Sequence, residues 1–533
     1  MNLEDKLRDL LAQTVPEIAR LSRAEALAYW QATTSGKKEY EEEYSRCREG
    51  LLKFLSNAET FTALKSIRDS GKVVDSLLRR QLEILYNRFL ENQIPPAVIA
   101  GLVRQETEIE SKYTNFRAVY QGRQVSNNDI SQALRSEPDS EKRRQAWEAS
   151  KQIGSQVADK ILEVVNLRND IARNLGFGDY RQMTLTLAEI DPEDLAKTLS
   201  ELQTLTDEPF RKVKSLIDNE LSSRFGVSTL MPWHYSDPFF QEAPALGETD
   251  LNPSFTGKNI AELAERYYRG IGFDVTDILD RSDLYERPGK NQHAYCTDLD
   301  REGDVRILCN LRSDEYWMGT LLHELGHGVY DKYHDPELPY LLRTHAHTLT
   351  SEAVAMLMER CTGNTAWLNE IAGIQLQETD RLKEQLEFHQ ALGQLIFVRW
   401  GLVVVYFERE LYANPTQDLD TLWWDLVEEL QLVQRPPGRK APDWAAKIHI
   451  ATAPVYYQNY ILGSLTASQL RTALEREAGA PLPVASPEVG KFLVEKVFKP
   501  GSRFPWNEMI NRATGEPLSA KSFAAEISKA VGI

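Results

Sequence analysis

Apolar residues recur at three- and four-residue spacing through most of the chain, in segments dominated by good helix formers. This period predicts helices over 3–30, 38–92, 140–175, 193–224, 258–271, 366–412 and 455–477. Breakers separate them. "QIPPAV" at 93–98, "MPWHYSDPFFQEAPALGETDLNP" at 231–253 and "QRPPGRKAPDW" at 434–444 are rich in proline and turn formers and read as loops. One stretch has a different period: "HAYCTDLDREGDVRILCNLR", 293–312, places two short extended runs either side of "DREGD", a hairpin signature. The prediction is therefore a mainly α chain with one small β-hairpin, without internal repeats or low-complexity tracts.

Composition narrows the picture. Apolar residues are 42% and charged residues 26% of 533, and no segment has the make-up of a long linker, so the chain reads as one compact, two-lobed unit. A net charge of −17 argues against nucleic acid and anionic membranes as partners. A substrate carrying a carboxylate would need a locally placed cation. The longest apolar run, "LIFVRWGLVVVYF" at 395–407, is too short to span a bilayer and contains Arg399, so a buried helix is expected. The N-terminus "MNLEDKLRDLLAQTV" lacks a basic region leading into an apolar stretch, and the four cysteines (Cys47, Cys296, Cys309, Cys361) are scattered. Both features predict a cytoplasmic protein with free thiols.

The chemistry concentrates in "LLHELGHGVYDKYH", 321–334. His323 and His327 are four residues apart, so on a helix both imidazoles share a face and can reach one zinc ion. Glu324, beside the first histidine, can take a proton from the attacking water and pass it to a leaving amine. Gly326 and Gly328 would let a neighbouring backbone come close. Zinc catalysis needs a third protein ligand. A third histidine six residues after the second is disfavoured, since that position is Tyr333 and the nearby His334 is out of phase. Glu352 in "TSEAVAMLMER" is the better candidate, in the first turn of an apolar helix that Thr350 or Ser351 would cap. Glu359 on the same helix is the reserve, and His334, His345 and His347 remain as alternatives. The hairpin just upstream would offer an extended peptide an edge to pair with. Downstream, "KIHIATAPVYYQNYILGSL" at 447–465 alternates Lys447 and His449 with isoleucines, so an extended segment would point both the same way. After Pro454 a helix should place Tyr456 and Tyr460 on one face with Tyr457 at its border.

With these residues in view, the chain resembles the peptidyl-dipeptidases of the angiotensin-converting-enzyme type. More broadly it resembles the clan that includes the thimet-type oligopeptidases and a group of zinc metallocarboxypeptidases. The resemblance runs from "RRQAWEAS" (143–150) and "NLGFGDYRQM" (174–183) through "HAYCTD" and "HELGH" to "KIH" and its tyrosines. It implies a two-lobed helical metallopeptidase with a deep central channel and the hairpin next to the zinc helix. Residues 1–533 would form one peptidase domain, with 1–140 a helical lid or lobe and 290–465 the zinc and substrate-binding core. It also implies one Zn²⁺ per chain on His323, His327 and Glu352, with Glu324 as general base and then acid. His293 and Ala294 would contact the bound peptide, and His449 would be a second peptide-contacting histidine. Lys447 would hold the terminal carboxylate, Tyr456 would assist it, and Tyr460, or Tyr457 given one extra residue here, would stabilise the oxyanion.

The chain departs from that pattern at three places. Met356 stands where the family has an aspartate four residues after the glutamate ligand. Gln458 stands at or near the arginine that serves chloride in animal members, which argues against chloride activation. Gln292 stands where a disulfide cysteine would be. The expected function is release of dipeptides from short peptides with a free C-terminus, by a monomer or homodimer. Removal of single residues and internal cleavage are the alternatives within the clan, and a non-catalytic peptide-binding zinc protein is the alternative outside it.

Overall fold

The computed structural model describes residues 2–244, 251–291, 293–374, 380–479 and 484–532. Gln292 and parts of the stretches 231–253 and 366–412 lie outside the described residues. The fold is mainly α, with two small antiparallel strand pairs. Chain contacts divide it into two units. The first contains 1–93, 250–383 and 462–518, and the second contains 94–249, 384–461 and 519–533.

In the first unit the N-terminal helix Leu3–Ser35 is capped by Asn2, whose side chain accepts the Asp5 N–H, and it ends at Gly36 in the left-handed conformation (φ 62°). The segment 38–92, expected as one helix, is three: Lys38–Leu55, Ala58–Asp69 and Ser76–Glu91. Helix-former propensity does not register the stop signals, which are local. Asn57 caps the second helix by accepting the Thr60 N–H, Gly71 turns the chain at φ 63°, and Asp75 caps the third. Leu7, Leu11, Ile18, Leu51, Leu64, Leu82 and Phe89 of these helices form a shared core.

The predicted hairpin is present in this unit. Tyr295–Asp298 pairs antiparallel with Val305–Leu308 in the register Tyr295↔Leu308, Cys296↔Ile307, Thr297↔Arg306 and Asp298↔Val305. Its turn is built by carboxylates: Asp298 accepts from Asp300 and Arg301 N–H, and Asp300 from Glu302 and Asp304 N–H. Cys296 and Cys309 are free, as expected.

The two helices that matter most are Glu315–Lys332 and Thr348–Glu359. They pack so closely that a Cβ on Gly326 would lie 2.7 Å from Ala355 Cα and 3.1 Å from its nitrogen. Gly328, on another face of the first helix, faces Ile278, Val305 and Cys296. The two glycines inside and after the His-Glu motif therefore seat this helix against its neighbour helix and against the hairpin.

The second unit holds the long helices Ser140–Asn174, capped by Asp139, and Pro192–Phe225, capped by Asp191 with proline at its first position. It also holds a strand pair, Ala118–Tyr120 with Arg123–Val125, that hydrophobic periodicity did not reveal. The expected helix 366–412 is interrupted: Thr365–Glu370 ends before Gly373 (φ 61°), and a new helix covers Asp380–Ala413. That helix is long and apolar enough to cross a membrane by length and composition, yet 72% of its apolar window is buried in the protein. Arg399 within it is buried, donates to Gln203 O and pairs with Asp207.

The Gly326 contact gives a direct test. Gly326→Ala should lose about 1–3 kcal/mol of stability by overpacking. Gly101→Ala, at a helix position with nothing within 4 Å, should gain up to about 1 kcal/mol. Denaturant unfolding of both variants measures this, and equal effects would contradict the close approach.

Candidate metal and substrate site

The helix Glu315–Lys332 starts where Asp314 accepts the Trp317 N–H, and it buries Met318, Leu321, Leu322, Leu325 and Val329. His323 and His327 lie on one side of it with their Nε2 atoms 3.2 Å apart. The facing helix begins one residue after His347, whose Nδ1 accepts the Leu349 N–H, so the cap is neither Thr350 nor Ser351 and Glu352 lies just beyond the first turn. This small shift does not move Glu352 away from the histidines. Its Oε2 is 3.6 Å from His323 Nε2 and 3.9 Å from His327 Nε2. Behind it, Gly463 lets the chain approach Glu352 Cβ to 3.1 Å, counted from where its own Cβ would be.

The three donor atoms lie within 4.8 Å of one another. Two imidazole nitrogens and a carboxylate oxygen converging on one point are the donor set of a catalytic zinc site. The far side of each ring fits the same use: His323 Nδ1 donates to Glu359 Oε2 at 2.9 Å, and His327 Nδ1 is 2.7 Å from Ser351 Oγ. Each hydrogen bond fixes its ring with Nε2 toward Glu352. Glu359, the reserve ligand, is thus turned to a ring nitrogen instead of joining the trio. Met356 faces elsewhere, its sulfur accepting from Ser464 Oγ at 3.5 Å.

The titratable groups of the cluster act strongly on one another. Burial pulls the His323 imidazole down, but its hydrogen bond to Glu359 and the charges of Glu359, Glu324 and Glu352 outweigh that and raise it to about 9. Burial and the neighbouring His323 charge push His327 down to about 3. Glu324, 8% exposed, is raised to about 7, chiefly by burial, with His323 opposing and the other two carboxylates adding. The nearby Cys296 backbone on the hairpin slightly opposes that rise.

The other histidines fall outside the trio. His345 pairs with Asp331 at 3.6 Å, His347 caps a helix, and His334 packs on Tyr330 with ring centroids 5.5 Å apart. His293 is exposed, its N–H held by Asn291 Oδ1, and with Ala294 it leads directly into the strand Tyr295–Asp298.

The remaining candidates belong to the second unit. Lys447 is nearly buried and donates to Gln241 Oε1 at 2.7 Å. Its ammonium lies 5.3 Å from the Trp400 ring centroid, 5.5 Å from Phe239 and 5.9 Å from Tyr457. Burial pushes it down to about 8. Gln241 was not foreseen; its only signal is its place two residues after Phe239 in the loop that Asp237 organises by accepting backbone N–H groups. The alternating extended segment is not found. Lys447 is extended (φ −88°, ψ 105°), but His449 sits in a short helix, Ile448–Thr452, so the two side chains do not alternate along a strand. A Lys-Ile-His-Ile pattern satisfies one helical turn as well as a strand, and Lys447 serves here as the helix start.

Tyr456 precedes the helix Tyr457–Ala478 and packs on Tyr460 with centroids 5.1 Å apart. Tyr457 is 3% exposed, is 5.5 Å from the His449 ring, and its hydroxyl accepts Trp400 Nε1–H at 3.3 Å. It therefore packs inside, whereas Tyr456 and Tyr460 are the partly exposed members of the group.

Comparison with known proteins adds independent information. The sequence profile described as "Peptidase family M3" matches residues 133–529, and that described as "Angiotensin-converting enzyme" matches residues 1–232. The chain is 25% identical over 287 residues to the angiotensin-converting enzyme-related protein of Drosophila melanogaster, covering 49% of this chain and 44% of that protein. It is 22% identical over 412 residues to oligopeptidase A of Haemophilus influenzae, covering 66% and 59% respectively. With thermostable carboxypeptidase 1 of Thermus thermophilus it is 27% identical over 259 residues, covering 43% and 49%. The chain thus spans about half the length of the curated relatives it matches.

If Glu359 orients His323, Glu359→Ala should weaken zinc binding about 10- to 100-fold. Competition against a chromogenic chelator measures it. An unchanged affinity would mean that the ring needs no such support.

Proposed function

From a chain that belongs to peptidase family M3, and is therefore a metallopeptidase, we propose an enzyme that releases C-terminal dipeptides from oligopeptides with a free carboxylate. The observation that carries this reading is Lys447. It is a nearly buried ammonium, ringed by aromatic side chains, that donates to a neutral amide, Gln241, rather than to a carboxylate of the protein. Asp237 and Glu242 favour its charge without a direct ion pair, so an incoming carboxylate could pair with it directly, and binding one would offset its desolvation.

In this reading His323, His327 and Glu352 hold one zinc ion per chain. Zinc, when bound, supplies Lewis-acid polarisation of the scissile carbonyl and acidifies water. Glu324 takes the proton of the attacking water as hydroxyl adds to the carbonyl carbon. It then delivers that proton to the leaving nitrogen as the C–N bond breaks, so one water is consumed and a carboxylate and an amine result. His449 and Tyr460 are assigned to the oxyanion as donors, and Tyr456 to Lys447 as its assistant. His293 and Ala294 are assigned to the peptide backbone. Gln458, at the position the resemblance gives to a chloride-binding arginine, donates its amide to the Val455 carbonyl, and turnover is proposed to be independent of chloride.

Matched pairs of free and C-terminally amidated peptides, with product masses read out, test the proposal. Dipeptides from the free forms only are expected. Single residues would select a carboxypeptidase, as the Thermus thermophilus relative's name suggests, and internal fragments an oligopeptidase. Glu324→Gln should cut kcat by about 10²- to 10⁴-fold with zinc retained. Lys447→Met should raise KM about 10- to 100-fold for free peptides, the loss of one charge-assisted hydrogen bond.

A further inference from the structure

Between His449 and the tyrosines the backbone does something unusual. Val455 has φ 54°, in the left-handed region, and it is the one β-branched residue among the described non-glycine residues with positive φ. Two heavy atoms on Cβ make that conformation costly, and nothing about burial requires it: the side chain is merely packed, at 4% exposure. Such outliers persist where surrounding groups over-determine them, and they cluster at functional sites.

Here the surrounding groups are identifiable. The Val455 N–H donates to Glu408 Oε1 at 2.8 Å, and the Val455 carbonyl accepts Gln458 Nε2–H at 2.6 Å. Both side chains are buried, at 2% and 3% exposure. One turn of chain earlier, the Ala451 carbonyl accepts from Arg168, itself 1% exposed, at 2.7 Å. The segment joining the short helix of His449 to the helix of Tyr457 is thus tied at both ends by buried polar groups from two other helices, Ser140–Asn174 and Asp380–Ala413. A glycine would adopt the same φ without strain, but it would also leave the segment free to adopt others.

We propose that Glu408 and Gln458 form a clamp that holds Val455 in its left-handed conformation, and that this clamp sets the direction in which Tyr456 and Tyr460 emerge relative to His449. Glu408 and Gln458 are positioning residues, acting through the backbone of Val455. The functional consequence rests on the proposed roles of His449 and Tyr460. Misdirecting donors aimed at a developing oxyanion reduces turnover more than it reduces binding.

The test uses the full chain. Glu408→Met removes the acceptor, Glu408→Gln keeps one in its amide carbonyl, and Gln458→Leu removes the second tie. For a peptide cleaved by the unsubstituted enzyme, kcat should fall about 10- to 100-fold in Glu408→Met and in Gln458→Leu, with zinc content unchanged, and Glu408→Gln should recover most of it. Independently of hydrolysis, fluorine NMR of 3-fluorotyrosine-labelled protein, assigned with Tyr456→Phe and Tyr460→Phe, should give one resonance per tyrosine in the unsubstituted protein and in Glu408→Gln. In Glu408→Met the same resonances should broaden or split. Folded Glu408→Met or Gln458→Leu with unchanged kcat and unchanged resonances would overturn the clamp, as would a Glu408→Gln variant as impaired as Glu408→Met. If Glu408→Met does not fold, Gln458→Leu decides by the same readouts. Should the unsubstituted chain cleave no peptide, the proposed function falls, while the fluorine spectra still decide the clamp.

Discussion

The close approach of the helices Glu315–Lys332 and Thr348–Glu359 at Gly326 is the constraint on which the candidate metal site depends. Two helices with ordinary side chains at their contact sit 8–10 Å apart. A residue lacking Cβ, set against the backbone of Ala355, lets the axes come nearer. His323, three residues before Gly326, and His327, one residue after it, then meet Glu352, three residues before Ala355. The same helix presents Gly328 to Val305 and Cys296 of the hairpin. Donor trio, candidate base and strand are therefore placed by one packing arrangement and not by separate devices.

Within each unit, buried polar groups hold particular side chains and backbone segments in place. Buried charges are costly unless paired, and the pairs here are specific to what they hold. Glu359 and Ser351 each fix the far nitrogen of one imidazole. In the second unit Arg168 donates to the Ala451 carbonyl as well as pairing with Glu106, and Glu408 accepts the Val455 N–H. Lys447 likewise donates to a neutral group, the Gln241 amide.

Much of this was legible in the residues. The four-residue spacing of His323 and His327, the apolar helix carrying Glu352, and the two runs flanking "DREGD" each follow from a period that side-chain packing imposes. What periodicity could not supply were the events that depend on single caps and on distant partners. The breaks at Asn57, Gly71 and Gly373 are such events, as is the cap at His347 in place of Thr350 or Ser351. The helical turn at His449 was misread as extended because four residues of alternating polarity fit either geometry. Glu359 was legible as a reserve ligand but not as the partner of His323, and neither Gln241 nor Glu408 stood out as a partner of Lys447 or Val455. Gln241 and Glu408 are made significant by groups far away in the chain, and Glu359 by a histidine on the neighbouring helix.

The central claim is that His323, His327 and Glu352 together hold one zinc ion, with no help from the scattered cysteines. A zinc K-edge absorption spectrum of the purified protein tests it directly. One zinc per chain with nitrogen and oxygen neighbours alone is expected, as is loss of that zinc on replacing Glu352 with alanine. Sulfur among the neighbours, or a spectrum unchanged by that replacement, would contradict it.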